Sequence, residues 1–172
     1  MNMFNPDFEF KKQILDIHLS EKIKYCYQCN RCVDVCPIAY EEPDRYNPRE
    51  LILSSVLGLK SHIIGQEDNF NIWGCQVCDT CDEECPQKIA LTEIFAILRN
   101  KSVEAGEAPD YYTTQAKFIL ENGKAIPLAP AIERRRDQMK LPKEKKVDIK
   151  EIQTILKETQ LDKKIKYDWE AK

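Results

Sequence analysis

The chain has 172 residues, with 26 Lys and Arg against 29 Asp and Glu for a net charge of −3, and 42% of its residues are hydrophobic. That length suits a single domain, on a prior of roughly 150 residues each. The balance of apolar and charged residues excludes both a collagen-like fibre and disorder throughout. The start, MNMFNPDFEFKKQ, lacks the basic and apolar regions of a signal peptide. The longest apolar stretch, 51–59, is broken by Ser54, Ser55 and Gly58 and falls short of the ~18 to 20 residues of a membrane span. No membrane span is therefore expected, and a cytoplasmic location is. Disulfides do not persist there, so the eight cysteines call for another use, and metal ligation is the usual one.

In chain order, Asp7 is expected to cap a helix carrying Phe8, Ile14, Leu15 and Leu19, with Phe4 near its start. The first cysteine run follows at Cys26, Cys29, Cys32 and Cys36. Asn47-Pro48-Arg49-Glu50 then reads as a helix start, with an N-cap, a proline at the first helical position and an acid at the third. Leu51, Ile52, Val56 and Leu57 form its apolar stripe, and Gly58 is placed to end it in a left-handed conformation. The second run is Cys75, Cys78, Cys81 and Cys85. Thr92 is a candidate cap for a helix bearing Leu91, Ile94, Phe95 and Leu98 and ending near Gly106. Asp110 is a candidate cap for another that runs through Phe118, Ile119 and Leu120 to Gly123. From Pro127 the character changes: Pro127, Pro130 and Pro142 punctuate a segment in which residues 133–146 hold seven Lys and Arg against three Asp and Glu. A capping box at Asp148 and Glu151 opens a short amphipathic helix with Ile149, Ile152, Ile155 and Leu156. Such a stripe needs a surface to lie on, and a partner protein is favoured over the chain's own core. No segment alternates as a strand does. The fold class expected is mostly α, and three parts are expected: an N-terminal helical extension over 1–21, a cysteine-bearing domain over 22–125 and a charged arm over 126–172.

The two runs are copies. Each cysteine of the second lies 49 residues after its counterpart, and both read C-x2-C-x2-C-x3-C-P, as CYQCNRCVDVCP and CQVCDTCDEECP. This is the bacterial-type spacing for a 4Fe-4S cluster, in which the fourth cysteine of each run ligates the other cluster of a two-cluster protein. Pro37 and Pro86 bias Cys36 and Cys85 toward extended backbone, which lets them project away from their own loops. The expected ligands are Cys26, Cys29, Cys32 and Cys85 for one 4Fe-4S cluster, and Cys75, Cys78, Cys81 and Cys36 for the other. Two zinc sites would consume the same eight residues, but zinc ribbons use separated pairs rather than a third cysteine three residues on and a terminal Cys-Pro.

No G-x-G-x-x-G or Walker-type loop is present. His18 and His62 lie far apart, with no evident nucleophile partner, and read as structural or exposed. Arg134, Arg135 and Arg136 read as a solvated face: the net charge is negative and no aromatic residues interleave them, so no nucleic-acid partner is expected. Asp79, Asp82, Glu83 and Glu84 accompany the second run, against Lys24 and Arg31 in the first. Negative charge disfavours an added electron, so the cluster of Cys75, Cys78 and Cys81 is expected at the lower potential. Tyr25, Tyr27 and Trp73 are candidates to shield the clusters from water.

KYCYQCNRCVDVCP, YNPRELI, WGCQVCDTCDEECPQ and IFAILRN, within residues 22–105, together resemble the C subunit of heterodisulfide reductase from methanogenic archaea. Asn47-Pro48 and Trp73-Gly74 are placed as in that family. The resemblance implies an alpha-helical ferredoxin-like domain with two 4Fe-4S clusters, plus terminal helical extensions. The same domain occurs in the iron-sulfur subunits of succinate dehydrogenase and fumarate reductase. Unlike those, this chain has no upstream C-x4-C-x2-C, and its second run keeps every cysteine. The Cys-Cys-Gly of the catalytic subunit is also absent, so no catalytic residue of its own is expected. The implied role is electron relay from a flavin-containing, iron-sulfur A subunit to a catalytic B subunit that reduces the coenzyme M-coenzyme B disulfide. A hydrogenase or formate dehydrogenase is an optional further component of the complex. A relay in another heterodisulfide-reductase-like or respiratory complex, a structural or regulatory iron-sulfur protein that binds nucleic acid, and a free ferredoxin are the competing readings.

Overall fold

The computed structural model describes residues 5–126, 129–143 and 147–170; Phe4 and Pro127, each given a role above, lie outside them. Every regular element among these residues is helical. The chain divides into two compact units, Met1–Glu107 and Ala108–Lys172.

The first unit opens with α1 (Phe8–Leu15), whose N-cap Asp7 accepts a 2.9 Å hydrogen bond from the Phe10 amide. The helix ends at Leu15. Leu19 instead falls in the 3-10 stretch His18–Tyr25, and its side chain is outside what is described. Helix α1 buries Phe10 and Ile14. After α2 (Arg31–Asp34) and α3 (Pro37–Glu41) comes α4 (Pro48–Leu57), started and stopped as its sequence dictates. The Asn47 side chain accepts from the amides of Arg49 and Glu50 at 3.1 and 3.2 Å, and Gly58 closes the helix at φ +73°. The buried face of α4 differs from the expected stripe. Leu51 and Ile52 are buried, but Leu57 is 42% exposed and Ser54 and Ser55 lie inside. Ser55 is tolerated there because its hydroxyl donates to the Leu51 carbonyl at 2.7 Å, which satisfies the buried group.

Next come α5 (Phe70–Trp73), α6 (Thr80–Glu83) and α7 (Leu91–Glu104). Helix α7 is the spine of this unit: Leu91, Ile94, Phe95 and Leu98 are buried, and α1, α4, α5 and α6 all pack against it. Trp73 is only 8% exposed, and its indole N–H donates to Ser102 of α7 at 3.2 Å. Gly74 follows because a Cβ there would stand 2.8 Å from the Phe70 ring and carbonyl. Thr92 does not cap α7. The cap position is Ala90, and the Thr92 amide and hydroxyl both donate to the Asp82 carboxylate, at 3.1 and 2.6 Å. An acid of the second cysteine run thus satisfies the start of α7 from outside the helix.

In the second unit, α8 (Asp110–Asn122) has Pro109 at its cap position, with Asp110 inside the first turn, and ends at Gly123 with φ +68°. Asp110 suits a first turn because an acid there complements the helix dipole. Helix α9 (Pro130–Gln138) buries nothing. Helix α10 (Ile149–Glu158) is capped by Asp148, which accepts from the Lys150 and Glu151 amides. Its surface is found within the chain: α10 packs on α8, and Gln153 donates to the Leu120 carbonyl at 3.1 Å. The stripe is not fully covered, since Ile149 and Ile155 stay exposed. After α11 (Leu161–Lys164), Trp169 donates to Asp162 at 3.0 Å and lies beneath the Lys157 ammonium. No described helix is long and apolar enough to cross a membrane.

Candidate iron-sulfur sites

The duplication seen in the sequence is repeated in the backbone. Gln28 and Asn30 flank Cys29 with φ of +58° and +71°; Val77 and Asp79 flank Cys78 with φ of +53° and +59°. Each pair sits 49 residues from its twin, as do α2 and α6. Left-handed backbone is costly for any side chain and most of all for a β-branched one such as Val77. Strain of this kind persists where the surroundings impose it and clusters at functional sites. Here it winds each loop so that the first three cysteines face one space. Helices α2 and α6 pack against each other and bring the two loops side by side.

Two cavities result. One is lined by Cys26, Cys29, Cys32 and Cys85, the other by Cys75, Cys78, Cys81 and Cys36. In each, three cysteines come from one run and the last from the other. Cys36 reaches across because it ends its own run in extended backbone, at φ −84° and ψ 116°, before Pro37 begins α3.

Donors converge on the sulfurs. The Gln28 side-chain amide donates to Cys26 at 3.3 Å, the Val77 amide to Cys75 at 3.4 Å and the Ala39 amide to Cys36 at 3.5 Å. Burial pushes the Cys32 thiol up to about 11, with the charges of Cys26, Cys29 and Cys85 adding to the effect. Burial also raises Cys81, whose neighbour Asp82 acts in the same direction. Cys78 is instead lowered by its hydrogen bond with the Thr80 side chain. Buried thiols crowded in this way resist ionisation until a cation compensates them, so the donor set fits a metal group. Four soft sulfurs round one cavity, with amides directed at Cys26, Cys75 and Cys36, suit iron-sulfur ligation. Among the described residues no three His, Cys, Asp or Glu close round a single metal ion. A cubane holds its thiolates at separate corners, further apart than ligands of one ion.

Each cavity has one exposed cysteine, Cys29 or Cys78, again 49 residues apart. The aromatic shield is partial: Trp73 is buried, but Tyr25 and Tyr27 are nearly 60% exposed. Arg31 and Glu84 form an ion pair of 2.6 Å between the two runs. One acid of the second run is thereby neutralised, and it precedes Cys85, which lines the first cavity. The charge contrast between the two sites is smaller than the sequence suggests. His18 pairs with Glu21 on the surface, and His62 is exposed.

The chain is similar to proteins that are already known. Residues 20–89 match the family described as 4Fe-4S dicluster domain. The chain is 32% identical to the second iron-sulfur C subunit of CoB-CoM heterodisulfide reductase from Methanocaldococcus jannaschii, covering 98% of this chain and 91% of that protein. It is 29% identical to the C subunit of the H(2):CoB-CoM heterodisulfide,ferredoxin reductase of Methanothermobacter marburgensis, over 94% and 92% of the two chains. With the iron-sulfur C subunit of the CoB-CoM heterodisulfide reductase of Methanopyrus kandleri the identity is 28%, over 96% and 90%. Identity at that level along nearly the whole length, together with the duplicated cysteine loops, means that the chain belongs to the family of heterodisulfide reductase C subunits, which are iron-sulfur electron-transfer proteins.

Proposed function

We propose that this chain carries two 4Fe-4S clusters, held by Cys26, Cys29, Cys32 and Cys85 and by Cys75, Cys78, Cys81 and Cys36, and that it works as an electron relay. It receives electrons from the flavin-containing A subunit and hands them to the B subunit, where the coenzyme M-coenzyme B disulfide is reduced to two thiols. The observation that carries this reading is the pair of cavities, each drawing its fourth cysteine from the opposite run. Crossed ligands tie both centres into one rigid unit, which suits transfer between them. One cysteine per site, Cys29 and Cys78, lies at the surface and gives each centre a face towards a partner. The names of the relatives support the substrate. The reaction takes two electrons and each cubane passes one at a time, so two deliveries complete it. We assign no catalytic residue to this chain: its part is to hold, tune and connect the centres.

Anaerobic affinity purification of the native protein, with identification of co-purifying subunits on the same sample, tests the assignment. Recovery with a flavoprotein and a Cys-Cys-Gly protein is the expected result. Recovery of the chain alone, or with nucleic acid, would overturn it.

A further inference from the structure

Two groups beside the second cavity have no counterpart in the cysteine repeat. Tyr46 is 2% exposed, its ring edge-on to Phe95 with centroids 6.5 Å apart. It lines the same cavity as Cys36, Cys75, Cys78 and Cys81. A buried phenol needs a polar partner, and the cavity that Tyr46 shares with the four cysteines is where its O–H meets one. Arg99 of α7 spreads its guanidinium over the chain that leads into the run. It donates to the carbonyls of Ile72 at 3.3 Å, Trp73 at 3.4 Å and Cys75 itself, and lies over the Trp73 ring at 5.4 Å. It takes no part in the ion pairs among the described residues. Its charge is therefore held by carbonyls; at the first cavity Arg31 is paired with Glu84, and Arg49 also lines the wall.

The potential of an iron-sulfur centre follows net charge and hydrogen bonds to its sulfurs. A donor to a ligand sulfur and an uncompensated cation both stabilise an added electron. Resting on the two-centre reading above, we propose that Tyr46 and Arg99 are positioning residues of the relay. The Tyr46 O–H, a donor in the wall of that cavity, and the guanidinium at the Cys75 carbonyl raise the potential of the centre held by Cys36, Cys75, Cys78 and Cys81, against the pull of Asp79, Asp82 and Glu83. One electron arrives from a one-electron donor, and no bond is made or broken. The lower potential expected for this centre from its acidic run is thereby offset by two residues remote in sequence.

The test is an anaerobic redox titration of the full chain with its clusters, followed by electron paramagnetic resonance. The second centre's signal is identified by its change in Cys78→Ser. Tyr46→Phe keeps the ring and removes the donor, and Arg99→Gln removes the charge. Both are expected to move the second centre to a more negative potential and leave the first where it was, while Arg99→Lys restores most of the shift. If both variants keep full cluster content yet the second centre does not move, or both centres move equally, the tuning role is overturned and the two-centre reading stands. Wild-type chain that holds no iron-sulfur signal would overturn the ligand reading, and the tuning role with it.

Discussion

Cys36 and Cys85 are the residues on which the two halves of the site depend. Each lines the cavity of the opposite run, so Cys36→Ser is expected to cost the centre of Cys75, Cys78 and Cys81 and spare the first. Iron content should fall by about half, from about eight per chain, and the surviving signal should match the wild-type first centre. Loss of the first centre instead would refute crossed ligation. Asp82 carries a second expectation. It accepts two hydrogen bonds at the start of α7, so Asp82→Ala should lower stability by about 1 kcal/mol, the usual worth of a helix cap. A drop in the anaerobic thermal midpoint with cluster content unchanged would show it. The cysteines were legible from sequence because their chemistry lies in their spacing. Asp82, Tyr46 and Arg99 were not, because each acts on a group ten or more residues away and no local pattern marks it.

At the level of elements, caps were read well where the cap and the helix are contiguous. Asn47, Gly58 and Asp148 do what their positions predict. Thr92 and Asp110 do not cap their helices, because another residue, Asp82 or Pro109, occupies the role through geometry that local sequence does not encode. The buried face of α4 departs from its apolar stripe for a related reason. Ser55 can be buried once its hydroxyl bonds back to Leu51, whereas Leu57 lies past the packed face. Asn47→Ala should cost about 1 kcal/mol. Gly58→Ala should cost at least as much: left-handed backbone disfavours a Cβ by roughly 1 to 2 kcal/mol, and this Cβ would also stand 2.8 Å from the Asp7 carbonyl. That carbonyl belongs to the cap of α1, and the Asp7 amide donates to the Gly58 carbonyl at 2.8 Å, so the damage should extend to α1. Chemical denaturation of the cluster-loaded variants measures both losses.

For the whole molecule, all eight cysteines lie in the unit Met1–Glu107, and the loops around them are held in strained backbone. Metal binding and folding are coupled where a site forms only in the folded state. Removing the clusters with an anaerobic chelator and oxidant should therefore expose this unit to limited proteolysis. Helices α8 and α10, which pack on each other within the unit Ala108–Lys172, should keep their protection. The helical fold class was legible in the sequence, as was the duplication. The packing of α10 on α8 was not, since an amphipathic stripe states that a surface is needed and not which one.

The central claim is that the eight cysteines hold two redox-active cubanes. Iron, sulfide and zinc quantified on one anaerobic sample of the full chain, with spectra recorded before and after reduction, test it most directly. The account predicts about eight iron and eight sulfide per chain, and reduction that gives two interacting paramagnetic centres. About two zinc and no sulfide, or clusters that take up no electron, would contradict it.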